Sequence, residues 1–333
     1  MSKIRIAQYG TKHGHASGKL LALKRNDSVE VAGLFEPDRN RRAELENADG
    51  PYAGTHWYDS ADEMLSDPTI IAVAAEGLNA ESLDQTEAIV AAGKHVWYDK
   101  PAGDNWPQWQ RVVANARAQN LHIQMGFMLR YSEAFHQVAT WARSGFLGHV
   151  FSIRANMSTH IPVAAREIIA ASHKAGIFYD LAGHVLDQVV WILGRPKKVT
   201  GYFHNHSGQV PAFSDNTLGV FEFENALAFI DIAAMQPQPM ARRFEVHGDQ
   251  GSAIIMEPFE PGKQIRLCLQ EAQDGYVKGE QFIDLPGSDR QKLYEKELEV
   301  FVGTIQGTQQ PDRLLDHELL VQETLLRATG GIA

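Results

Sequence analysis

Three ionisable side chains in this sequence are of the types and in the settings that redox chemistry on an alcohol requires. Lys100 closes the stretch His95-Val96-Trp97-Tyr98-Asp99-Lys100-Pro101, and about eighty residues later Asp180 and His184 lie four positions apart. A cation can hold an alcohol oxygen and favour its developing negative charge. An imidazole, titrating near neutral pH, can take the hydroxyl proton, and a carboxylate can orient that ring. Pro101 restricts the residue before it to extended backbone, which fixes the lysine's main chain and leaves a cis bond open. Taken alone, Asp-Lys-Pro reads more readily as a surface turn. The second segment argues otherwise. Gly176–Leu193 is apolar almost all round, so a buried helix is expected. Its polar residues, Asp180, His184 and Asp187 or Gln188, recur along one face. Burying such groups without partners costs several kcal/mol in round terms, so the stripe must pair internally or line a ligand site.

The elements that would carry these residues are legible as two patterns. Up to about residue 125, strands at Ile4–Tyr9, Val29–Phe35, Ile70–Ala75, His95–Tyr98 and Leu121–Gln124 alternate with helical stretches. The punctuation fits: Ser60-x-x-Glu63 as a capping box, Asn79 as an N-cap, Gly93 as a helix stop and Pro107 in a first turn. Strand–helix alternation of this kind predicts a doubly wound parallel sheet, a Rossmann domain over 1–125. Beyond it, strands at His149–Ala155, Val199–His206, Leu218–Phe223, Leu227–Ala233, Phe244–His247, Ala253–Met256 and Ile265–Leu269 alternate apolar and polar, with Glu224-Asn225 placed to turn a hairpin. Helices are expected at about 163–173, 177–193, 292–306 and 313–329. The whole predicts an α/β domain followed by an α+β domain, 126–333, with a predominantly antiparallel open sheet flanked by helices. Its uncovered face carries enough Phe, Val and Ile to predict a homodimer or homotetramer through that sheet.

A dinucleotide loop is expected between the first strand and first helix, at Gly10-Thr11-Lys12-His13-Gly14-His15. The usual G-x-G-x-x-G lets backbone approach a pyrophosphate closely. Here Gly10 keeps the first position, while Lys12 and His15 occupy the second and third. Gly14 would supply some of the missing freedom, and Lys12 would offer the phosphates a cation. Glu36, at the end of the second strand, is placed to accept hydrogen bonds from a ribose and to repel a 2′-phosphate, which favours NAD; Arg39 keeps NADP open.

Composition bounds the alternatives. The 333 residues exceed what one core usually serves. A net charge of −10 argues against nucleic acid as a partner. The single cysteine, Cys268, precludes an internal disulfide, and its apolar alternating surroundings suggest packing. With no charged-then-apolar leader and no run of ~20 apolar residues, a cytoplasmic protein away from membranes is expected. The pairs His13-x-His15 and His204-x-His206 suggest metal, but no third ligand is evident in sequence, so none is expected.

In combination, the glycine loop, Asn79, Ala92-Gly93-Lys94-His95-Val96, Asp99-Lys100-Pro101, Gly126 to Arg130-Tyr131, Asp180-x-x-x-His184 and Gly248-x-x-Gly251 resemble the glucose–fructose oxidoreductase / inositol dehydrogenase / MocA (Gfo/Idh/MocA) family over nearly the whole chain. Asp99 replaces the family's usual glutamate before the lysine. The usual Thr-Pro-Asn-x-x-His is reduced to Gly77-Leu78-Asn79 followed by Ser82, and Glu133 stands where proline is common. The resemblance implies an NAD(P)-dependent dehydrogenase acting on a secondary alcohol of a sugar, sugar acid or cyclic polyol. Lys100, Asp180 and His184 would be catalytic and also touch substrate. Arg130, Tyr131 and His160 would contact substrate as well, with Arg166 as a further candidate. Gly10 to His15, Glu36, Asn79, Lys100 and Pro101 would hold the cofactor. Which of Lys100 and His184 accepts the proton stays open. Two alternatives follow from the same resemblance: redox-neutral, NAD-dependent glycoside cleavage, and a non-catalytic NAD- or sugar-sensing regulator.

Overall fold

The computed structural model describes residues 3–173 and 175–333, which divide into two compact units. One comprises residues up to Gly126 together with Gln291–Leu319, and the other Phe127–Arg290 with Leu320–Ala333.

In the first unit, strands β1 (Ile4–Tyr9), β2 (Val29–Phe35), β3 (Ile70–Ala75), β4 (His95–Tyr98) and β5 (Ile123–Met125) form a parallel sheet ordered β2-β1-β3-β4-β5. The first four match the expected strands residue for residue. The fifth begins two residues late, at Ile123, where burial begins. Helices α1 (Ala16–Arg25), α2 (Arg39–Glu46), α3 (Ala61–Ser66), α4 (Ser82–Ala91) and α5 (Trp106–Ala118) connect them. Ser60 caps α3 by accepting from the Glu63 amide at 3.0 Å, and Asn105 caps α5 ahead of Pro107. Asn79 does not cap α4. Residues 78–81 first make a turn of their own, with the Glu81 and Ser82 amides both bonded to the Leu78 carbonyl, so Glu81 becomes the capping position. The strand order reverses between β1 and β3, which is where a doubly wound sheet opens its ligand crevice.

Helix α9 (Arg290–Ile305) and the segment after it complete this first unit rather than the second. The reason is a buried ionic clamp. Arg313 donates to Glu318 at 2.7 Å, to the Met125 carbonyl at 2.5 Å and to Asp312 at 3.1 Å, while the Met125 amide donates to Glu318 at 3.1 Å. Gln124 adds a bond to the Glu297 carbonyl at 2.8 Å. The end of β5 thus meets its polar requirements only when 291–319 is in place.

In the second unit, β6 (Val150–Asn156) to β13 form an eight-stranded sheet ordered β13-β12-β11-β10-β6-β9-β8-β7. The others are β7 (Lys198–His204), β8 (Asn216–Glu222), β9 (Leu227–Ala233), β10 (Arg243–Gly248), β11 (Gly251–Ile255), β12 (Gln264–Leu269) and β13 (Gly279–Asp284). All pairs are antiparallel except β6 with β9. The β8–β9 hairpin turns at Glu224-Asn225 as expected, closed by the Phe223 amide on the Ala226 carbonyl. Helices α7 (Val163–Ser172), α8 (Ile177–Leu193) and α10 (Leu315–Ala328) lie close to their predicted ranges. Helix α6 (Glu133–Ser144) and β13 were not anticipated. Helices α6 and α8 cover one sheet face, against buried Ile153, Ala228, Ile230, Phe244, Val246 and Ala253. The other face carries the row Phe282, Arg266, Ile254, Glu245, Arg154, Phe229, Val220 and Thr200 from β13 to β7.

Among the described residues, no helix is long and apolar enough to cross a membrane.

Because the Arg313 clamp is buried on both sides, removing one partner leaves a charge unpaired in the core. Arg313→Met should cost about 3–5 kcal/mol, read as a lowered urea midpoint at unchanged slope; a midpoint within error of the parent chain would refute the clamp.

Candidate functional site

The β1–α1 loop is shaped by a close approach of backbone to backbone. Gly10 has φ +84°, and a Cβ there would lie 2.8 Å from the Gly77 amide nitrogen at the end of β3, so no other residue fits. Gly14 differs from the expectation. Its φ is not in the left-handed region, and a Cβ there would meet nothing within 4 Å. The loop thus keeps one obligatory glycine, with open space above Gly14 at the start of α1, the end of a helix that favours anions.

Around this loop the carboxylates and cations are held in a defined pattern. Glu36 is buried and accepts from the Thr11 hydroxyl at 2.7 Å and the Asp38 amide at 2.9 Å. Arg41, not the exposed Arg39, is the guanidinium at the loop: its Nε and Nη2 donate to the Thr11 hydroxyl and carbonyl, both at 2.7 Å. Lys12 reaches Glu81 at 3.2 Å and Asp38 at 3.6 Å. Asn79 is half-buried on the neighbouring turn. One obligatory glycine, a helix start with room above it, and carboxylates at the β2 end are features a dinucleotide cradle needs.

Beneath the loop lies a buried ionic cluster that sequence reasoning did not find. The Lys19 ammonium, fully buried on the inner face of α1, sits 3.0 Å from Glu76, 3.1 Å from Asp99 and 4.5 Å from the centre of the Trp97 ring. His15 Nδ1 lies 2.9 Å and His13 Nδ1 3.4 Å from the same Asp99 oxygen. The other Asp99 oxygen accepts the Lys100 amide at 2.8 Å. Asp99 therefore anchors the main chain of Lys100, whose side chain is buried and whose bond to Pro101 is cis. Burial opposes ionisation of Asp99, yet its interactions with His13, His15 and the Lys19 ammonium hold its carboxyl well below the usual range. Burial depresses both imidazoles, so Lys19 is the cation that balances Asp99. Burial also pushes Glu76 and Glu297 up to about 8.

His13, His15 and Asp99 are close enough together to hold a metal ion, and Asp99 supplies the third ligand not evident in sequence. Two observations set this group against a metal. His13 Nδ1 already accepts the His15 amide at 3.2 Å, and the Lys19 ammonium already occupies the Asp99 oxygen an ion would take. His204 and His206 stack with centroids 5.3 Å apart, and His206 pairs with Asn216.

In the second unit, α8 carries the polar stripe, with His184 buried and Asp180 half-buried. The helix starts at Gly176, φ +51°, where a Cβ would lie 2.5 Å from the Ser214 carbonyl; the Ile177 amide bonds that carbonyl at 3.1 Å. The lower end of the stripe pairs internally. Asp187 accepts Arg130 at 2.5 Å and Gln188 at 2.8 Å, and the Arg130 guanidinium stacks 4.1 Å over Trp191. Arg130 comes from a short 3-10 turn, Met128–Tyr131, in which Tyr131 is half-buried. Arg166 is a brace, donating to the Ile161 and Ala234 carbonyls, Ser207 and Gln209. His160 is exposed beside a bridge to Met235.

Two family descriptions match the chain in register with these units. Residues 4–127 match an oxidoreductase family with an NAD-binding Rossmann fold, and residues 135–254 match the GFO/IDH/MocA C-terminal domain. The chain belongs to the Gfo/Idh/MocA family. It is an NAD-binding oxidoreductase of that family. Among similar proteins, the uncharacterized oxidoreductase YhhX of Escherichia coli is 27% identical over 77% of this chain and 72% of its own. The 1,5-anhydro-D-fructose reductase of Ensifer adhaerens is 24% identical over 76% and 74%. An oxidoreductase from Agrobacterium radiobacter, solved in complex with NAD+, L-tartaric acid and magnesium, shares the fold with a TM-score of 0.83 at 15% identity, over 99% of this chain and 96% of that one.

The raised carboxyls fix a pH dependence. Folded Glu76 and Glu297 keep a proton up to about 8, whereas in the unfolded chain they release it near their ordinary 4.5. The folded state binds more protons in between, so stability present at low pH is lost as pH rises through that window. Between pH 7 and 8.5, above the range in which unfolding lets the depressed imidazoles take up protons, unfolding free energies from urea titration should fall with a limiting slope of ~1.4 kcal/mol per pH unit for each group, and E297Q should flatten the profile. A parent midpoint that rises over this range would contradict the assignment.

Proposed function

We propose that this Gfo/Idh/MocA oxidoreductase is an NAD-dependent dehydrogenase that oxidises a secondary alcohol of a sugar, sugar acid or cyclic polyol. The observation that carries the reading is the buried Lys100, held by its own amide to Asp99 at the carboxyl rim of the cofactor-binding sheet. NAD, when held at the β1–α1 loop and Glu36, would supply the hydride acceptor for the carbinol carbon. Lys100 hydrogen-bonds the hydroxyl oxygen and stabilises its negative charge as the C–H bond breaks. His184 accepts the hydroxyl proton, leaving a carbonyl product, and Asp180, one turn earlier on α8, orients the imidazole. Gly10, Thr11, Lys12, His13, Gly14, His15, Glu36, Asn79 and Pro101 form or support the cofactor cradle. The Glu36 and Asp38 carboxylates and the engagement of Arg41 by Thr11 favour NAD over NADP. Tyr131 and His160 remain candidate substrate contacts, while Arg130 acts by fixing Asp187 on α8. A sugar-derived substrate is supported by the name of the Ensifer relative.

A spectrophotometric screen of inositols, aldoses and sugar acids with NAD and NADP tests the reaction class: net cofactor reduction with a free sugar or polyol is expected. Lys100→Met and His184→Ala should each lower kcat by ~10² or more while NAD affinity changes little. Turnover unchanged in either variant would remove that residue from the scheme.

We also propose that the chain pairs with itself through the bare face of the second unit's sheet. Tyr202 and Leu227 are each about half exposed there, bordering a groove of about 580 Å³ with Leu218, Val220 and Phe229. Light scattering should give a multiple of the 37.0 kDa chain mass, reduced toward it by Tyr202→Asp with Phe229→Asp. A monomeric parent chain would end this reading.

A further inference from the structure

We propose that Glu81, assisted by Asp38, sets the affinity for the dinucleotide by competing with its diphosphate for the ammonium of Lys12. Lys12 stands where the fingerprint's second glycine would let backbone meet the pyrophosphate, so its side chain is the substitute for that contact. In this structure the ammonium is engaged, by Glu81 at 3.2 Å on the β3 side and by Asp38 at 3.6 Å on the β2 side. It spans the end of the sheet between the two strands that flank β1.

Neither carboxylate is a loose surface group. Glu81 accepts the Leu78 amide with its second oxygen at 3.3 Å, and Asp38 accepts the Asn40 and Arg41 amides at 3.1 and 3.2 Å as the cap of α2. Backbone donors thus fix both receptors, and Lys12 closes between them. The charges near the loop are unbalanced for an anionic ligand: Lys12 and Arg41 face Glu36, Asp38 and Glu81. A diphosphate entering this setting draws the ammonium away from at least one carboxylate, which is then left without its cation beside like charge. That penalty is built into every binding event. It keeps affinity below what the lysine alone would provide and favours release of the cofactor. Glu81 is therefore a positioning residue that acts through Lys12.

The inference rests on reading Lys12 as the phosphate-binding cation, and the experiment separates the two. Titration calorimetry on the full chain uses ADP-ribose, which carries the diphosphate, and adenosine, which does not. Lys12→Met should weaken ADP-ribose about tenfold; if it does not, the reading of Lys12 itself fails. Glu81→Gln keeps a carbonyl for the Leu78 amide and should tighten ADP-ribose about three- to tenfold, lowering KM for NAD. Asp38→Asn, which preserves the cap, should act in the same direction to a smaller extent. Neither should shift adenosine. In the Lys12→Met background the gain from Glu81→Gln should shrink to less than twofold, because Glu81 then has no ammonium to withhold from the diphosphate. Weaker or unchanged ADP-ribose binding by Glu81→Gln, or an equal gain in both backgrounds, overturns the proposal.

Discussion

A single ammonium, that of Lys19, sits where two carboxylates and two imidazoles come together under the cofactor loop. Without it, Asp99 would be an uncompensated anion in a fully buried place, a situation that costs several kcal/mol per ion. With it, Asp99 stays ionised and can accept both His15 and the Lys100 amide. The β1–α1 loop and the β4 terminus are thereby tied to one oxygen pair. What places Lys100 at the rim of this sheet is therefore an ion pair one layer below, between a helix and the segment that follows β4. The imidazoles serve that arrangement as neutral donors and spacers, because burial disfavours their charged form.

The second unit uses the same device at the lower end of α8. Arg130, stacked on Trp191, neutralises Asp187, and Asp187 in turn holds Gln188. An otherwise apolar helix can then bury its polar stripe without leaving charge unpaired. His184 lies one turn from this pair and Asp180 two, on a helix whose starting point is fixed by the contact of Gly176 with Ser214. In both units an internal ion pair supports a rigid element, and Lys100 and His184, proposed to carry the chemistry, lie on or next to that element.

The fold was legible where burial and local pattern agree. Strands β1 to β4 are short, mostly apolar and largely buried, interrupted only by such residues as Arg5, Gln8 and Glu30, so their limits follow the apolar segments. Helix α6 escaped notice although Phe135, Val138 and Trp141 are buried at helical spacing, because His136, Thr140 and Trp141 read weakly as helix formers. Strand β13 is polar and lies at the sheet edge, so only its pairing with β12 defines it. The candidate site was legible in its outer members and opaque beneath. Lys19 is an ordinary helix cation by sequence; what buries it is Glu76, Asp99 and Glu297, all remote along the chain. One signal was present, since Lys19 shares its face with Ala16, Leu20 and Leu23. Arg41 displaced Arg39 as the loop guanidinium because the angular step between them on α2 turns one toward Thr11 and the other to solvent.

The return of residues 291–319 to the first unit has a bearing on the order of synthesis. A ribosome delivers Lys19, Glu76 and Asp99 early, but Glu297, Arg313 and Glu318 only after residues 127–290 of the other unit. Until then the carbonyl of Met125 and the exposed flank of Trp97, against which Phe301 stacks, have no native covering. The nucleotide-binding half, although first to emerge, cannot finish folding ahead of the other; a nascent chain halted after Gly126 would expose apolar surface to chaperones and neighbouring polypeptides. Folding of the first unit thereby waits on synthesis of most of the second.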